Sequence, residues 1–124
     1  MRIQESGEMY LETILRLSQT SGHVRAIDVG EEMGYSKPSV SRAMNLLKQG
    51  GYIAIDSDGA ITLTETGREI AEKIYARHTL ITNFLICIGV DEKTAAEDAC
   101  KMEHSISDTS FDAIKRLAQK NHLI

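Results

Sequence analysis

SKPSVSRAMNLLKQGGYIAIDSDGAITLT, residues 36–64, sets a helix and a hairpin back to back. Ser36 is a good N-cap, and Pro38 suits the first helical turn, where a missing N–H costs nothing. Val40, Ala43, Met44 and Leu47 form an apolar stripe at helical spacing, and Gly50-Gly51 ends it. Two short strands, 52–56 and 60–64, flank Ser57-Asp58-Gly59, whose Asp-Gly pair is a strong hairpin signal. The rest of the helix surface carries Lys37, Ser39, Ser41, Arg42 and Asn45. Between 36 and 50 there are three basic residues, Lys37, Arg42 and Lys48, and no acid. That composition suits phosphate.

Upstream, Glu8 to Gln19 reads as a helix with Leu11, Ile14, Leu15 and Ser18 on one face and Tyr10 and Leu17 beside it. Met9, Glu12, Thr13 and Arg16 project roughly the opposite way, and an apolar Met9 there needs a reason. Thr20-Ser21-Gly22 breaks the chain, and Val24-Arg25 is short and extended. Ala26 to Met33 is a short helix with Ile27 and Val29 as its apolar contacts and Gly34 past its end. Helix, helix, tight turn, polar-faced helix and hairpin make a winged helix-turn-helix, over residues 1–65. Its second helix would enter a major groove with Ser36, Lys37, Pro38, Ser39 and Ser41 first and Arg42 a turn further in. Arg25 and Lys48 join them as candidate contacts. Hydroxyls and Lys37 suit phosphate, and Arg42 could read guanine. The wing tip carries Asp56 and Asp58, so little is expected of it.

Downstream, Thr64 or Thr66 can cap a helix running to about Ile88, with Ile70, Ile74, Ile81, Phe84, Leu85 and Ile88 as its stripe and His78 in line. Asp91 caps a helix to about His104, and Ser107 opens a last one to about Lys120, striped by Phe111, Ile114, Leu117 and Ala118. The fold expected over 66–124 is therefore helical, and the chain as a whole is mainly α.

The 124 residues suffice for one domain or two small subdomains. Apolar content of 42% and charged content of 26% are those of a water-soluble globular chain. No apolar run nears the roughly 20 residues of a membrane span, and the first ten residues lack a signal-peptide core, so a cytoplasmic protein is expected. The net charge is -4, unevenly spread: residues 91–112 hold seven acids against two lysines. Modest monomer affinity for DNA is implied, and a homodimer on a two-fold site would double the phosphate contacts. Of two cysteines, Cys87 in FLICI should pack as a small hydrophobe, whereas Cys100 has polar neighbours.

EDACKMEH, residues 97–104, puts Cys100, Glu103 and His104 at i, i+3 and i+4, one helical face. Those side chains could hold a transition metal or could form an ordinary polar face beside a thiol. Met9 and Glu12, one turn apart on the first helix, add possible ligands. His78 adds an imidazole, although a histidine on an apolar stripe is often a satisfied core residue.

The stretches EMYLETIL (8–15), SKPSVSRA (36–43), LTETGREIA (63–71), ARHTLITNFL (76–85) and EDACKMEH together resemble the diphtheria toxin repressor family, in order and spacing over nearly the whole chain. The resemblance implies a metal-dependent transcriptional repressor, with a DNA-binding half followed by a helical metal-binding and dimerisation half. It implies that metal bridges the halves, orders the first helix, and lets a homodimer bind double-stranded operator DNA of metal-uptake genes. Position by position, Met9, Cys100, Glu103 and His104 fall on the activating site of the iron-sensing branch. His78 falls on a histidine of a further site there and of the metal cluster in the manganese branch. The manganese branch has aspartate at Met9 and glutamate at Cys100, so this chain is softer in both places. Sulfur favours Fe²⁺, Co²⁺, Ni²⁺ or Zn²⁺ over Mn²⁺. Glu12 matches the manganese branch, where the iron branch is basic. An ancillary iron-branch site would want an acid near Thr82 and a histidine near Ala96, and neither stands there. The sequence ends at Ile124, so the family's SH3-like third domain is expected to be absent. Fe²⁺ is the expected ion, Mn²⁺ the second, with Zn²⁺, Co²⁺ or Ni²⁺ possible in vitro. Other readings are a winged-helix regulator sensing oxidant through Cys100 or an organic ligand, a metal hydrolase, and a DNA-free dimerisation module. No base or phosphate loop stands near the ligands, so neither an enzyme nor a small-molecule substrate is expected.

Overall fold

The computed structural model describes residues 5–121. Its elements are α1 (Glu5–Ser21), α2 (Ala26–Met33), α3 (Lys37–Gln49), β1 (Ile53–Ile55), β2 (Ile61–Leu63), α4 (Glu65–Cys87), α5 (Glu92–Ser105) and α6 (Asp108–Lys120). They form two compact units, Met1–Glu72 and Lys73–Ile124, and the division falls inside α4.

In the first unit, local chemistry fixes each boundary. Gly34, at φ 71°, takes the left-handed conformation that ends α2, and its N–H donates to the Gly30 carbonyl at 2.9 Å. Ser36 caps α3, its Oγ accepting from the Ser39 N–H at 3.4 Å. The strands pair antiparallel with Ile53 opposite Leu63 and Ile55 opposite Ile61. At the turn they are shorter than their sequence pattern because the Asp56 N–H still donates to the Ala60 carbonyl at 3.0 Å, but the return bond from Ala60 goes to the Asp56 side chain instead of its carbonyl. The Asp56 carboxylate accepts from the Asp58 and Ala60 N–H groups at 2.9 Å each, which builds the turn that Gly59 completes at φ 82°. Val24 adds an isolated bridge to Ile61 as a rudimentary third strand.

α1 packs on α2, α3 and β2, and α3 packs on α2 and β1. Leu11, Ile14, Val24, Val29, Val40 and Met44 are buried. Side chains of this size each contribute about 1.5–3 kcal/mol on leaving water. Ile27 differs from expectation: it is 58% exposed. It lines an open cleft of about 440 Å³ with Tyr35 and Val40 instead of joining the core. Glu12 and Thr13 also differ, since both are buried although they stand off the face of Leu11 and Ile14. Thr13 satisfies its hydroxyl by donating to the Met9 carbonyl at 2.9 Å. The start of α4 is pinned to the wing. Thr64 Oγ1 donates to the Gly51 carbonyl at 2.7 Å and accepts from Gly67 N–H at 3.2 Å, so Thr64 and not Thr66 is the cap.

In the second unit, Ile74, Leu80 and Ile81 of α4, Ala95 and Ala99 of α5 and Ala118 of α6 are buried. Asp91 caps α5 by accepting from the Thr94 N–H at 2.9 Å, and that bond holds its carboxyl below the usual carboxylate range. Ser107 caps α6 in the same way through Ser110 at 3.1 Å. Cys87 is exposed rather than packed, because it closes the last turn of α4, and Ile86 and Ile88 beside it are exposed too.

Candidate metal centre and nucleic-acid face

α5 places Cys100, Glu103 and His104 on one face, as the spacing requires. The Glu103 side chain is 0% exposed, and so is that of His104. Nδ1 of His78, reaching over from α4, lies 2.8 Å from Glu103 Oε2 in hydrogen-bond contact. Nε2 of His104 lies 3.3 Å from Glu103 Oε1. The buried carboxylate therefore sits between two imidazoles. Its Oε2 is satisfied, while Oε1 accepts no hydrogen bond among the described residues. Cys100, one turn earlier, is half-buried and is not in a disulfide.

This arrangement fits a divalent ion. A buried carboxylate has to be paired or to coordinate a metal. Ligand atoms on one ion with bonds of about 2 Å stand about 3 Å apart, which matches the spacing of Glu103 Oε1 and His104 Nε2. The carboxylate and imidazole donors that stand together here are ligands that a transition metal takes.

On α1, Met9 is half-buried and Glu12 is buried, with Arg16 Nε 3.6 Å from Glu12 Oε1. Arg16 in turn reaches to 4.0 Å from Glu32 of α2. Within the second unit Glu103 thus meets two other candidate ligands, His78 through Oε2 and His104 through Oε1. Met9 and Glu12 occupy successive turns of α1.

Arg77 escaped sequence reasoning. It is buried, and its Nη1 donates to the carbonyls of Glu103 at 3.0 Å and Ile106 at 2.8 Å. Its Nη2 pairs with Asp108, and its guanidinium lies 5.2 Å from the Phe111 ring centroid. A signal for it existed. Arg77 stands three residues after Ile74 and four before Ile81, on the stripe itself, where a charge must have partners.

The predicted DNA face is open. Arg25, Ser36, Lys37, Pro38, Ser41, Arg42 and Lys48 are exposed, and Ser39 is half-buried. Ser36 Oγ donates to Ser39 Oγ at 2.9 Å, so these two hydroxyls hold the helix start while their outer sides face solvent. Among the described residues Lys37 and Arg42 pair with no acid, whereas Arg16 pairs with Glu12 and Glu32 and Arg68 with Glu72.

Residues 2–61 match the family "Iron dependent repressor, N-terminal DNA binding domain". Residues 64–122 match "Iron dependent repressor, metal binding and dimerisation domain". The chain belongs to the iron-dependent repressor family. Its members are transcriptional regulators and not enzymes. The transcriptional regulator MntR of Escherichia coli is 32% identical over 112 residues, 90% of this chain and 72% of that protein. An uncharacterized HTH-type transcriptional regulator of Methanocaldococcus jannaschii is 34% identical over 120 residues, 95% of this chain and 96% of that protein. The structure of the manganese regulator SloR superposes with a TM-score of 0.81 at 26% identity, covering 96% of this chain and 55% of SloR. The winged helix-turn-helix followed by helices is thus the fold of a metal-dependent repressor family. No helix among the described residues is long and apolar enough to cross a membrane.

Proposed function

We propose that this iron-dependent repressor family member senses a divalent ion and, when loaded, binds operator DNA of metal-uptake genes as a homodimer in the cytoplasm. The observation that carries the reading is the buried Glu103 carboxylate, whose Oε1 accepts no hydrogen bond among the described residues and faces His104 Nε2 at 3.3 Å. Cys100, Glu103 and His104 would hold the ion, with Met9 of α1 and, in addition, Glu12 and His78. The ion would supply the positive charge that this acidic, partly sulfur set requires. His78 orients the Glu103 carboxylate by its hydrogen bond. Residues 1–65 would form the DNA-binding half and 66–124 the metal-binding and dimerisation half. Exposed Ile86, Ile88 and Leu117 support dimerisation through the second unit.

The switch would be one of order. An ion drawing on α1 as well as α5 biases α1 toward a single placement, and α1 packs directly on α2 and α3, which read DNA. Lys37, Ser36, Ser39 and Ser41 would meet phosphate, Arg42 a base edge, with Arg25 and Lys48 at the flanks.

Fe²⁺ is the favoured ion, because Met9 and Cys100 offer sulfur. Mn²⁺ is the alternative, supported by Glu12 and by SloR, which is a manganese regulator. An operator mobility shift under anaerobic conditions, with Fe²⁺, Mn²⁺, Zn²⁺ or chelator, tests both levels. Retardation with Fe²⁺ and none with chelator is expected. Equal retardation with chelator removes the sensor, and stronger retardation with Mn²⁺ than with Fe²⁺ reverses the choice of ion.

A further inference from the structure

We propose that Arg77 is the positioning residue of the metal half-site, acting through the backbone of the α5 turn that carries Glu103 and His104. This rests on the metal-sensing reading and adds a residue that binds no ion itself.

The last turn of a helix leaves its carbonyls without intrahelical partners and is the part that frays first. In α5 that turn holds two of the candidate ligands, with Ile106 as C-cap. One guanidinium nitrogen of Arg77 donates to both the Glu103 and the Ile106 carbonyls, at 3.0 and 2.8 Å. The turn is thereby tied to α4 at the residue next to His78, whose own Nδ1 meets Glu103 Oε2. Arg77 is itself held from α6, by the Asp108 carboxylate and the Phe111 ring, and Lys73 secures Asp108 from the other side at 3.2 Å. Three helices thus converge on one planar group. Its fork geometry allows several fixed donations at once, which a lysine ammonium cannot reproduce. The consequence is a carboxylate and an imidazole whose Cα atoms are fixed before any ion arrives, so that binding costs little ordering.

The test uses the full chain with Co²⁺ as probe, under anaerobic conditions, in Arg77→Met, Arg77→Lys and Asp108→Asn. Affinity and the Co²⁺ absorption spectrum are measured, together with amide hydrogen exchange at residues 103–106 of the metal-free protein. Arg77→Met should weaken Co²⁺ binding about 10–100-fold, the usual cost of losing an orienting partner. It should also alter the spectrum and speed exchange at 103–106 without metal. Arg77→Lys should fail to restore the spectrum. Asp108→Asn, which leaves both carbonyl bonds, should stay within about threefold of the unsubstituted chain. A folded Arg77→Met with unchanged spectrum overturns the proposal, even if its affinity falls. Should Arg77→Met lose helical content, Arg77→Lys carries the same criterion. An unsubstituted chain that takes up no Co²⁺ refutes the metal reading instead, and so separates the two failures.

Discussion

Replacing Glu103 by glutamine should make the metal-free protein more stable while abolishing its response to metal. The carboxylate is wholly buried, Oε2 accepts from His78 Nδ1, and Oε1 accepts no hydrogen bond among the described residues. A buried acceptor left without a donor costs about 1–3 kcal/mol, and more when it is charged. Glutamine has the same shape. Its amide oxygen can still accept from His78, and its nitrogen can donate toward His104 Nε2, 3.3 Å from Oε1 in the native chain. Glu103→Gln should therefore gain about 1–3 kcal/mol in chelator. A chain of this size converts each kcal/mol to about 4 °C in Tm. The native chain at a metal concentration of 100 Kd gains about 2.7 kcal/mol, and a variant that cannot bind gains none. The order of stabilities should thus narrow or cross between chelator and metal. Thermal unfolding followed by circular dichroism, with chelator and with anaerobic Co²⁺, reads both. A Glu103→Gln protein that melts lower than the native chain in chelator, or keeps the full metal increment, refutes the reasoning.

Gly67→Ala tests the wing. A methyl there would lie 1.9 Å from the Tyr52 carbonyl oxygen, so the backbone must move, although alanine is the better helix former by about 1 kcal/mol. Overpacking of this kind costs about 1–3 kcal/mol. The shift would also disturb the Thr64 N–H to Tyr52 carbonyl bond, 3.1 Å in the native chain, so urea unfolding should show a net loss, and a gain would mean α4 starts elsewhere. Met9→Asp with Cys100→Glu should shift preference toward Mn²⁺ over Co²⁺ by about tenfold or more in competition titrations, because hard oxygens replace sulfur. An unchanged ratio would take both residues out of the ligand set. Acid should unfold the protein as the Asp91 and Asp108 carboxyls protonate. Both are held below the usual range, Asp91 by the Thr94 N–H and Asp108 by Lys73 and then Arg77. Their contribution is full above the unfolded pKa near 4 and is lost as pH falls through the lower folded values. Asp91→Asn with Asp108→Asn should flatten the stability profile below about pH 4, and an unaltered acid limb would contradict it. Lys37→Ala should lower the salt slope of operator binding by about one, whereas Arg42→Ala should relax base preference at one position. If both leave binding unchanged, α3 does not read DNA.

The sequence displays the elements that carry their own punctuation. Ser36, Gly34, Asp91 and Ser107 each fix a helix end through one local bond, and Asp-Gly fixes the wing turn. Such signals lie within four residues of what they control, so they are legible without tertiary structure. The face of EDACKMEH is legible for the same reason. Residues whose state depends on distant chain are not. Glu12 and Thr13 lie off the stripe of α1 and yet are buried, while Ile27 lies in an apolar position and yet is exposed. Cys87 reads as core by its neighbours and is exposed because the helix ends on it. Arg77 was hidden by the assumption that a stripe of Ile74 and Ile81 has apolar members only, since its four partners come from 26 to 34 residues further on.

Arg77 and Glu103 together bear on why a sensor would be built this way. A buried carboxylate that lacks one hydrogen bond is a defect in the metal-free state, and a helix end is a poor place to keep one. Locking that end with a guanidinium stops the chain from relieving the defect by fraying, so the open oxygen persists until a cation meets it. In the proposed switch, the ion's differential affinity for the ordered protein would shift its conformational population. If the turn could relax, part of the binding free energy would go into rebuilding it, and less would remain for ordering α1. Stability surrendered at Glu103 and rigidity supplied by Arg77 are then two parts of one device. Arg77→Met with Glu103→Gln should accordingly be non-additive in chelator, read by thermal unfolding: once the carboxylate is gone, loosening the turn relieves no defect, so Arg77→Met should cost more stability in the Glu103→Gln background than in the native chain.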